Sequence, residues 1–232
     1  MSHSAPIATL LRQGTGSGTL HAGDLRMAVQ VPNNDAREDP AGKGSVRGAG
    51  IVEWLRWLAE RFDDQTAVLA LRKIPPELSG CFDASKPFLG VDPQKWYPAA
   101  SFHAFLDVML THLDRPTLEA LVDDAARKTM QGLMSRAIGS FAAGLGSAER
   151  YMRVVNALFR LMHDSGRVQI VSRGPRQHEA TISEWRGHHP VVCRFTVMCQ
   201  APIYERMGCV DLKIRHSCVA SGAPSCGCVV TW

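Results

Sequence analysis

The spacing of apolar residues divides the chain into a helical part and a strand-rich part. From Gly48 onward, apolar residues recur at steps of three and four, which is the period of a helix with one buried face. The first such stripe comprises Ile51, Trp54, Leu55, Leu58 and Phe62. Charged residues such as Glu53 and Arg56 fall mostly on the outward side. The pattern therefore predicts a core helix that begins near residue 48.

More helices follow with the same period. A short second helix is predicted over 66–72, and it ends before Pro75 because the residue that precedes a proline avoids helical angles. The segment 79–97 shows no helical period and is interpreted as a loop whose aromatic residues cap the core. Further apolar stripes predict helices over 102–110, 118–134 and 151–162.

The period changes to two after Asp164, which indicates a sheet. Strands are predicted over 167–172, 178–185, 210–216 and 225–232. Between the second and third strands lies a predicted helix over 190–207, in which Pro202 forces a kink or a break because it lacks a backbone donor. The fold class is therefore α+β, with an N-terminal helical layer packed on a small C-terminal antiparallel sheet. The tail of the chain runs strand, strand, helix, strand, strand.

The first 45 residues differ from the rest in composition. They are rich in Gly, Ser, Asn and Asp and contain one short strand-like run over 25–31. Such a segment buries too little apolar surface to offset the entropy of ordering. We therefore predict a flexible leader over 1–45 and a single domain over 46–232. The glycines of Gly14-Thr-Gly-Ser-Gly18 do not form a phosphate loop, since no Gly-Lys-Ser/Thr follows them.

Composition and charge narrow the function classes only modestly. The 232 residues are 45% hydrophobic and carry a net charge of +4, which does not demand a nucleic-acid partner. The arginines of the second half show no zinc-finger spacing and no aromatic RNA-binding signature, so they are interpreted as a solvated face. No secretory signal and no apolar run of membrane-spanning length is present. We expect a cytoplasmic protein without nucleic-acid or membrane partners.

The seven cysteines are concentrated toward the end of the chain. An odd number is unsuited to a disulfide framework, and clustered thiols in a reducing compartment are core residues or metal ligands. His216 lies close to Cys218, but no third orienting group supports a catalytic pair, and Gly-x-Ser-x-Gly occurs nowhere. No catalytic residue is therefore predicted.

Several short motifs carry a resemblance to a known family when they are taken in order. Arg215-His-Ser-Cys218 is followed by Gly222-Ala-Pro-Ser-Cys226 and a strand that ends at Trp232. Pro190-Val-Val-Cys193 opens the preceding helix, and Trp96-Tyr97-Pro98 lies upstream. Together they resemble the vinyl-reductase-type (4-vinyl reductase-like) sensory domain. They are also similar to a large paralogous family of uncharacterised proteins in myxobacteria.

The resemblance, which covers roughly 44–232, implies a fold and a class of function. The fold would be shared with haem-based nitric-oxide sensors and with a component of vesicle-tethering complexes. Some relatives bind small aromatic ligands, which implies a non-catalytic small-molecule-binding or signalling module. One alternative is a protein-interaction scaffold, as a homodimer or with another partner. A third is an enzyme or accessory factor of tetrapyrrole or aromatic metabolism.

The resemblance also implies a zinc site. Regulator-type relatives hold zinc through cysteines that match Cys193, Cys218 and Cys226 together with a carboxylate, and thiolates are strong zinc ligands. The chain departs from that pattern at the fourth position. Glu184 is taken as the candidate, whereas Glu179, His188 and His189 are alternatives. The competing interpretation is that the three cysteines are buried thiols in the core.

A ligand pocket is expected between the helical layer and the sheet. Aromatic walls suit a planar apolar ligand, and the candidate lining residues are Trp96, Tyr97, Phe102, Phe105 and Phe159. Haem would require an axial histidine, for which His103, His112 and His163 are candidates. However, the Tyr-x-Ser-x-Arg signature that holds haem in nitric-oxide sensors is absent, so haem is not expected.

Overall fold

The computed structural model describes residues 44–62, 64–111, 113–136 and 147–232. All of them belong to one compact unit. The predicted leader and its strand-like run lie almost entirely outside the described residues, so the domain boundary stays a prediction. Within the described ranges, no helix is both long enough and apolar enough to cross a membrane.

The first half of the described chain is mainly helical. Its elements are β1 (Ser45–Arg47), α1 (Gly48–Arg61), α2 (Asp64–Leu71), α3 (Pro76–Ser79), β2 (Trp96–Pro98), α4 (Ala99–Leu110) and α5 (Arg115–Arg136). The sequence-based helices are thus confirmed in place, with ends that differ by a few residues. The short elements β1, α3 and β2 were not predicted. The chain around Tyr97, predicted as loop, forms β2 by pairing antiparallel with β1.

The second half contains the sheet. Its elements are α6 (Ala148–Met162), β3 (Arg167–Gly174), β4 (Gln177–Ser183), α7 (Pro190–Met198), α8 (Gln200–Arg206), β5 (Lys213–Ser217) and β6 (Cys226–Thr231). The four strands are antiparallel in the order β3-β4-β6-β5. The predicted α+β class and the strand, strand, helix, strand, strand tail are therefore confirmed. The helix predicted over 190–207 is broken at Cys199, three residues before Pro202.

The predicted apolar stripe of α1 is buried at four of its five positions. Ile51, Trp54, Leu55 and Leu58 are each between 2% and 4% exposed. Phe62 was wrongly assigned to this face, since it follows the last helical residue in an extended conformation and is 42% exposed. Glu53 was expected to point outward but is buried, and its carboxylate lies 3.6 Å from Arg56 Nε.

Strand β6 is one of the two interior strands of the sheet and carries two of the buried thiols. It pairs with β4 on one side and β5 on the other, and Cys226, Cys228 and Val230 are buried. Between the two cysteines, Gly227 adopts a φ of 154°, and a Cβ there would collide with the carbonyl oxygen of Ala180 on β4. The Cys-Gly-Cys motif therefore depends on glycine for the close approach of β4 and β6.

Helix α7 joins the two apolar cores of the unit. Val192 belongs to the core formed by the N-terminal helices, whereas Cys193 and Val197 belong to the core under the sheet. On its outer side, Arg194 donates to both carboxylate oxygens of Asp123 on α5, each at 2.7 Å, and lies 2.9 Å from Glu119. This half-buried, two-point pairing fixes α7 on the long helix α5.

Candidate metal centre and ligand cavity

Four potential metal ligands converge where α7 meets the β5–β6 hairpin. Cys193 lies in the first turns of α7, Cys218 directly follows β5, and Cys226 opens β6. His188 comes from the segment that leads into α7. The three sulfur atoms and one imidazole nitrogen all lie within 4.8 Å of one another. In the part of the chain that the structure describes, this is the one such group of histidine, cysteine or acidic side chains.

The distances inside this Cys–His group suit a tetrahedral ion. Zinc binds sulfur at about 2.3 Å and imidazole nitrogen at about 2.0 Å, so tetrahedral ligands stand about 3.8 Å (sulfur to sulfur) and about 3.5 Å (sulfur to nitrogen) apart. The Sγ atoms of Cys218 and Cys226 are 3.9 Å apart, and His188 Nε2 is 3.3 Å from Cys218 Sγ. Three cysteines and one histidine form a known closed set of structural zinc ligands.

Glu184, the candidate from sequence, is not part of this group. It directly follows β4 in a left-handed conformation, with φ of 55°, and its side chain is exposed. The fourth ligand atom in the group belongs to His188 instead. A second histidine lies beside the group: His216 Nε2 is 3.2 Å from Cys193 Sγ. The sequence suggested His216 as the neighbour of Cys218. In the structure, the histidine beside Cys218 is His188.

The electrostatics of the Cys–His group oppose a nucleophilic role. Burial raises the pKa of the Cys193 thiol, and the nearby Cys226 and Cys218 sulfurs raise it further. Burial likewise raises the pKa of Cys226. A nucleophilic cysteine requires the opposite shift, toward the thiolate at neutral pH. A cation bound at the centre of the group would stabilise the thiolates.

A cavity of about 140 Å³ lies between the N-terminal helices and the sheet, as the sequence predicted. Its walls are apolar side chains from both cores, among them Ile51 of α1, Val155 of α6, Val168 of β3, Ile182 of β4 and Phe195 of α7. Every layer of the unit therefore contributes to this one space. It is smaller than the pockets of about 300 Å³ or more that hold drug-sized ligands.

Two of the five aromatic residues proposed as pocket walls do line this cavity. These are Phe102 on α4 and Phe159 on α6. The other three lie elsewhere. Phe105 is 1% exposed within the N-terminal core, Tyr97 accepts a 2.7 Å hydrogen bond from the Asp92 backbone N–H, and Trp96 packs against the Arg47 guanidinium. Their positions correct the sequence-based assignment: Phe105 and Tyr97 belong to the helical core, and Trp96 is half-buried outside it.

Four buried polar atoms belong to residues of the cavity wall, and of these residues only His163 was a candidate from the sequence. They are Trp54 Nε1, Thr129 Oγ1, His163 Nδ1 and Gln200 Oε1. Each is buried, and none makes a hydrogen bond within the described residues. A buried polar atom without a hydrogen bond costs about 1–3 kcal/mol, so a hydrogen-bonding partner at any of these four atoms would stabilise the structure. One signal was available in sequence: Thr129 is a polar residue set within the apolar stripe of α5.

No protein-family model and no curated protein matches the chain. Two solved structures are similar to it. One is an Fe(II) unliganded H-NOX protein from K. algicida, with a TM-score of 0.61 and 8% identity, covering 80% of this chain and 95% of that one. The other is a mutant of that protein, with a TM-score of 0.59, 10% identity and the same coverage. At these identities the likeness shows an H-NOX-like fold.

Haem is the group implied by the resemblance to nitric-oxide sensors, and the cavity is too small for it. A haem is at least drug-sized, whereas the cavity measures about 140 Å³. Of the candidate axial residues, His163 lines the cavity, His103 stacks on His189 with ring centres 4.9 Å apart, and His112 lies outside the described residues. The cavity as shaped does not fit a haem.

The buried histidine of the cavity generates a pH prediction. Burial lowers the pKa of His163 to about 3, with a smaller contribution from His103, so the folded protein holds this ring neutral. An unfolded histidine titrates near 6.5, and the unfolded state therefore binds more protons between pH 6.5 and 3. Stability contributed by neutral His163 is complete above pH 6.5 and is lost as pH falls through this window. Between pH 7 and 5 the loss is about 2 kcal/mol.

Urea unfolding of the wild type and of His163→Phe at pH 7 and pH 5 measures this loss. We expect the decrease in unfolding free energy to be about 2 kcal/mol smaller in the variant, whatever its absolute stability. Equal decreases in the two proteins would show that His163 is not held neutral by burial.

Proposed function

We propose that the protein is a non-catalytic small-molecule-sensing module whose ligand occupies the cavity between the helices and the sheet. The observation that carries this proposal is the set of buried polar atoms around an otherwise apolar cavity. Cavities of about 150 Å³ with apolar walls hold one benzene ring. The volume of about 140 Å³ therefore favours a single-ring molecule, and the polar atoms favour one with hydroxyl substituents.

The donor and acceptor types on the wall refine that chemistry. Trp54 Nε1 can only donate, Gln200 Oε1 can only accept, and Thr129 Oγ1 can do both. A phenolic hydroxyl both donates and accepts, whereas benzene does neither. The H-NOX-like fold supports a sensory role, and the vinyl-reductase resemblance, which stays a prediction, points to aromatic ligands.

We further propose that Cys193, Cys218, Cys226 and His188 hold a zinc ion. A closed set of four protein ligands leaves no open coordination position, which is typical of structural rather than catalytic zinc. Such an ion would connect α7 to the β5–β6 hairpin and so hold one wall of the cavity. The closed site thus favours a non-catalytic module over an enzyme. The cytoplasmic location, the scaffold and the metabolic enzyme stay predictions.

The zinc site is tested by elemental analysis of protein purified without chelator. We expect about one equivalent of zinc in the wild type and a loss of most of it in Cys193→Ser and in His188→Gln, because each removes one of four ligands. Cys209→Ser and Glu184→Gln are matched controls outside the group and should retain the wild-type content. A zinc-free wild type would contradict the assignment, as would equal losses in the controls.

Ligand binding is tested by calorimetry with benzene and phenol. We expect phenol to bind about tenfold more tightly than benzene, because its hydroxyl can bond to the wall atoms. Thr129→Val, which removes one of those atoms at nearly constant size, should reduce the preference for phenol.

Val155→Phe should abolish binding of both compounds by filling the cavity, whereas Val219→Phe, at an exposed position outside it, should not. The proposal fails if neither compound binds to the wild type, or if Val155→Phe binds both compounds as the wild type does.

A further inference from the structure

A second concavity, separate from the metal centre and the ligand cavity, lies where α6 ends and β3 begins. It is a cleft of about 420 Å³ that we call the arginine cleft. Its lining residues are Asn156, Arg160, Asp164, Ser165, Gly166, Arg167, Glu184 and Arg186. None of them lines the apolar cavity. The arginine cleft therefore requires its own explanation.

Three arginines from three different elements meet at this cleft. Arg160 comes from the last turn of α6, Arg167 from the first position of β3, and Arg186 from the segment between β4 and α7. Among the described residues, Arg160 and Arg167 make no ion pair. Their charges are therefore not neutralised by a described carboxylate.

Arg186 is oriented by the buried carboxylate of Asp164. The Asp164 side chain is 1% exposed, and its Oδ2 lies 3.6 Å from Arg186 Nη2. A carboxylate so deeply buried directs the guanidinium without itself facing solvent. The accessible charges of the cleft are thus the three arginines and the exposed Glu184.

Two neutral side chains of the cleft use their oxygen atoms as acceptors within the protein and keep a hydrogen-bond donor for a ligand. Asn156 Oδ1 accepts from the Val168 backbone N–H at 3.0 Å, which leaves its NH2 group to donate elsewhere. Ser165 Oγ accepts from the Arg186 backbone N–H at 3.2 Å, which leaves its own hydrogen to donate. Three guanidiniums, an amide NH2 and a hydroxyl form a donor-rich surface that matches an anion.

The number of donors favours phosphate over carboxylate. A carboxylate has two oxygens and one negative charge, which one guanidinium fork satisfies. A phosphate monoester carries up to two negative charges on three terminal oxygens, which matches the charges of Arg160 and Arg167, and the Arg186 guanidinium, whose charge Asp164 offsets, is a further donor. The cleft is also larger than a phosphate group alone, and its lining is polar. Glu184 offers acceptors that suit hydroxyl groups.

We propose that the arginine cleft binds the phosphate monoester of a small polyhydroxylated metabolite. Arg160, Arg167 and Arg186 hold the phosphate, and Glu184 accepts hydrogen bonds from the hydroxyl groups. This site is independent of the cavity ligand and of the metal.

Calorimetry on the full chain at fixed ionic strength tests the proposal, with glucose 6-phosphate, inorganic phosphate, glucose and sulfate as probes. We expect glucose 6-phosphate to bind at least about fivefold more tightly than inorganic phosphate or sulfate, and glucose alone not to bind. The double substitution Arg160→Gln/Arg167→Gln should weaken binding of glucose 6-phosphate by at least about tenfold.

The matched control removes the same charge elsewhere. Arg153→Gln/Arg176→Gln replaces two exposed arginines outside the cleft and should leave the affinity within about twofold of the wild type. If both double variants weakened the binding of glucose 6-phosphate equally, the effect would be general electrostatic attraction, and the proposed site would be wrong. Equal binding of inorganic phosphate and glucose 6-phosphate would overturn the metabolite assignment, and no binding of any phosphate would overturn both.

Discussion

The position of helix α7 is the constraint on which the rest of the structure depends. On one side, Cys193 brings the helix against Cys218 and Cys226 of the β5–β6 hairpin. On the other, Arg194 pairs with Asp123 of α5. The same helix presents Val192 and Phe195 to the cavity. A helix held at both faces keeps a small cavity open because its wall cannot collapse inward without breaking one of these attachments.

The cavity and the arginine cleft are adjacent in the chain although they share no lining residue. His163 lines the cavity, and the next residue, Asp164, lines the cleft and pairs with Arg186. Both follow α6 directly, and the Asp164 backbone N–H is hydrogen-bonded to the Ser45 carbonyl oxygen of β1. One short segment thus places His163 on the cavity wall and Asp164 beside Arg186 in the arginine cleft. The hydrogen bond to Ser45 attaches this segment to β1, the strand that precedes α1.

The sequence predicted the architecture because helical and strand periods are local signals. The apolar stripes located the helices, and Pro202 predicted the interruption between α7 and α8, since a proline cannot donate to the preceding turn. Cys193, Cys218 and Cys226 were assigned as ligands through the family resemblance, and the structure places their sulfur atoms together. From the sequence, His188 was only an alternative to Glu184, because the choice depends on the path of the loop after β4, which carries Glu184 outward and His188 inward.

The cavity walls were harder to predict than the cavity itself. Spacing shows that Phe102, Phe105 and Phe159 are buried, but not whether a buried face meets another helix or a space. Phe105 fills the helical core, whereas Phe102 and Phe159 face the cavity. The polar residues of the wall, such as Gln200, are recognisable only once their partners in the fold are known.

The central claim is that zinc joins α7 to the hairpin, and X-ray absorption at the zinc edge of the purified protein tests it most directly. The account predicts a four-coordinate ion with three sulfur ligands at about 2.3 Å and one nitrogen ligand at about 2.0 Å. A first shell of nitrogen and oxygen alone, or a six-coordinate ion, would contradict it.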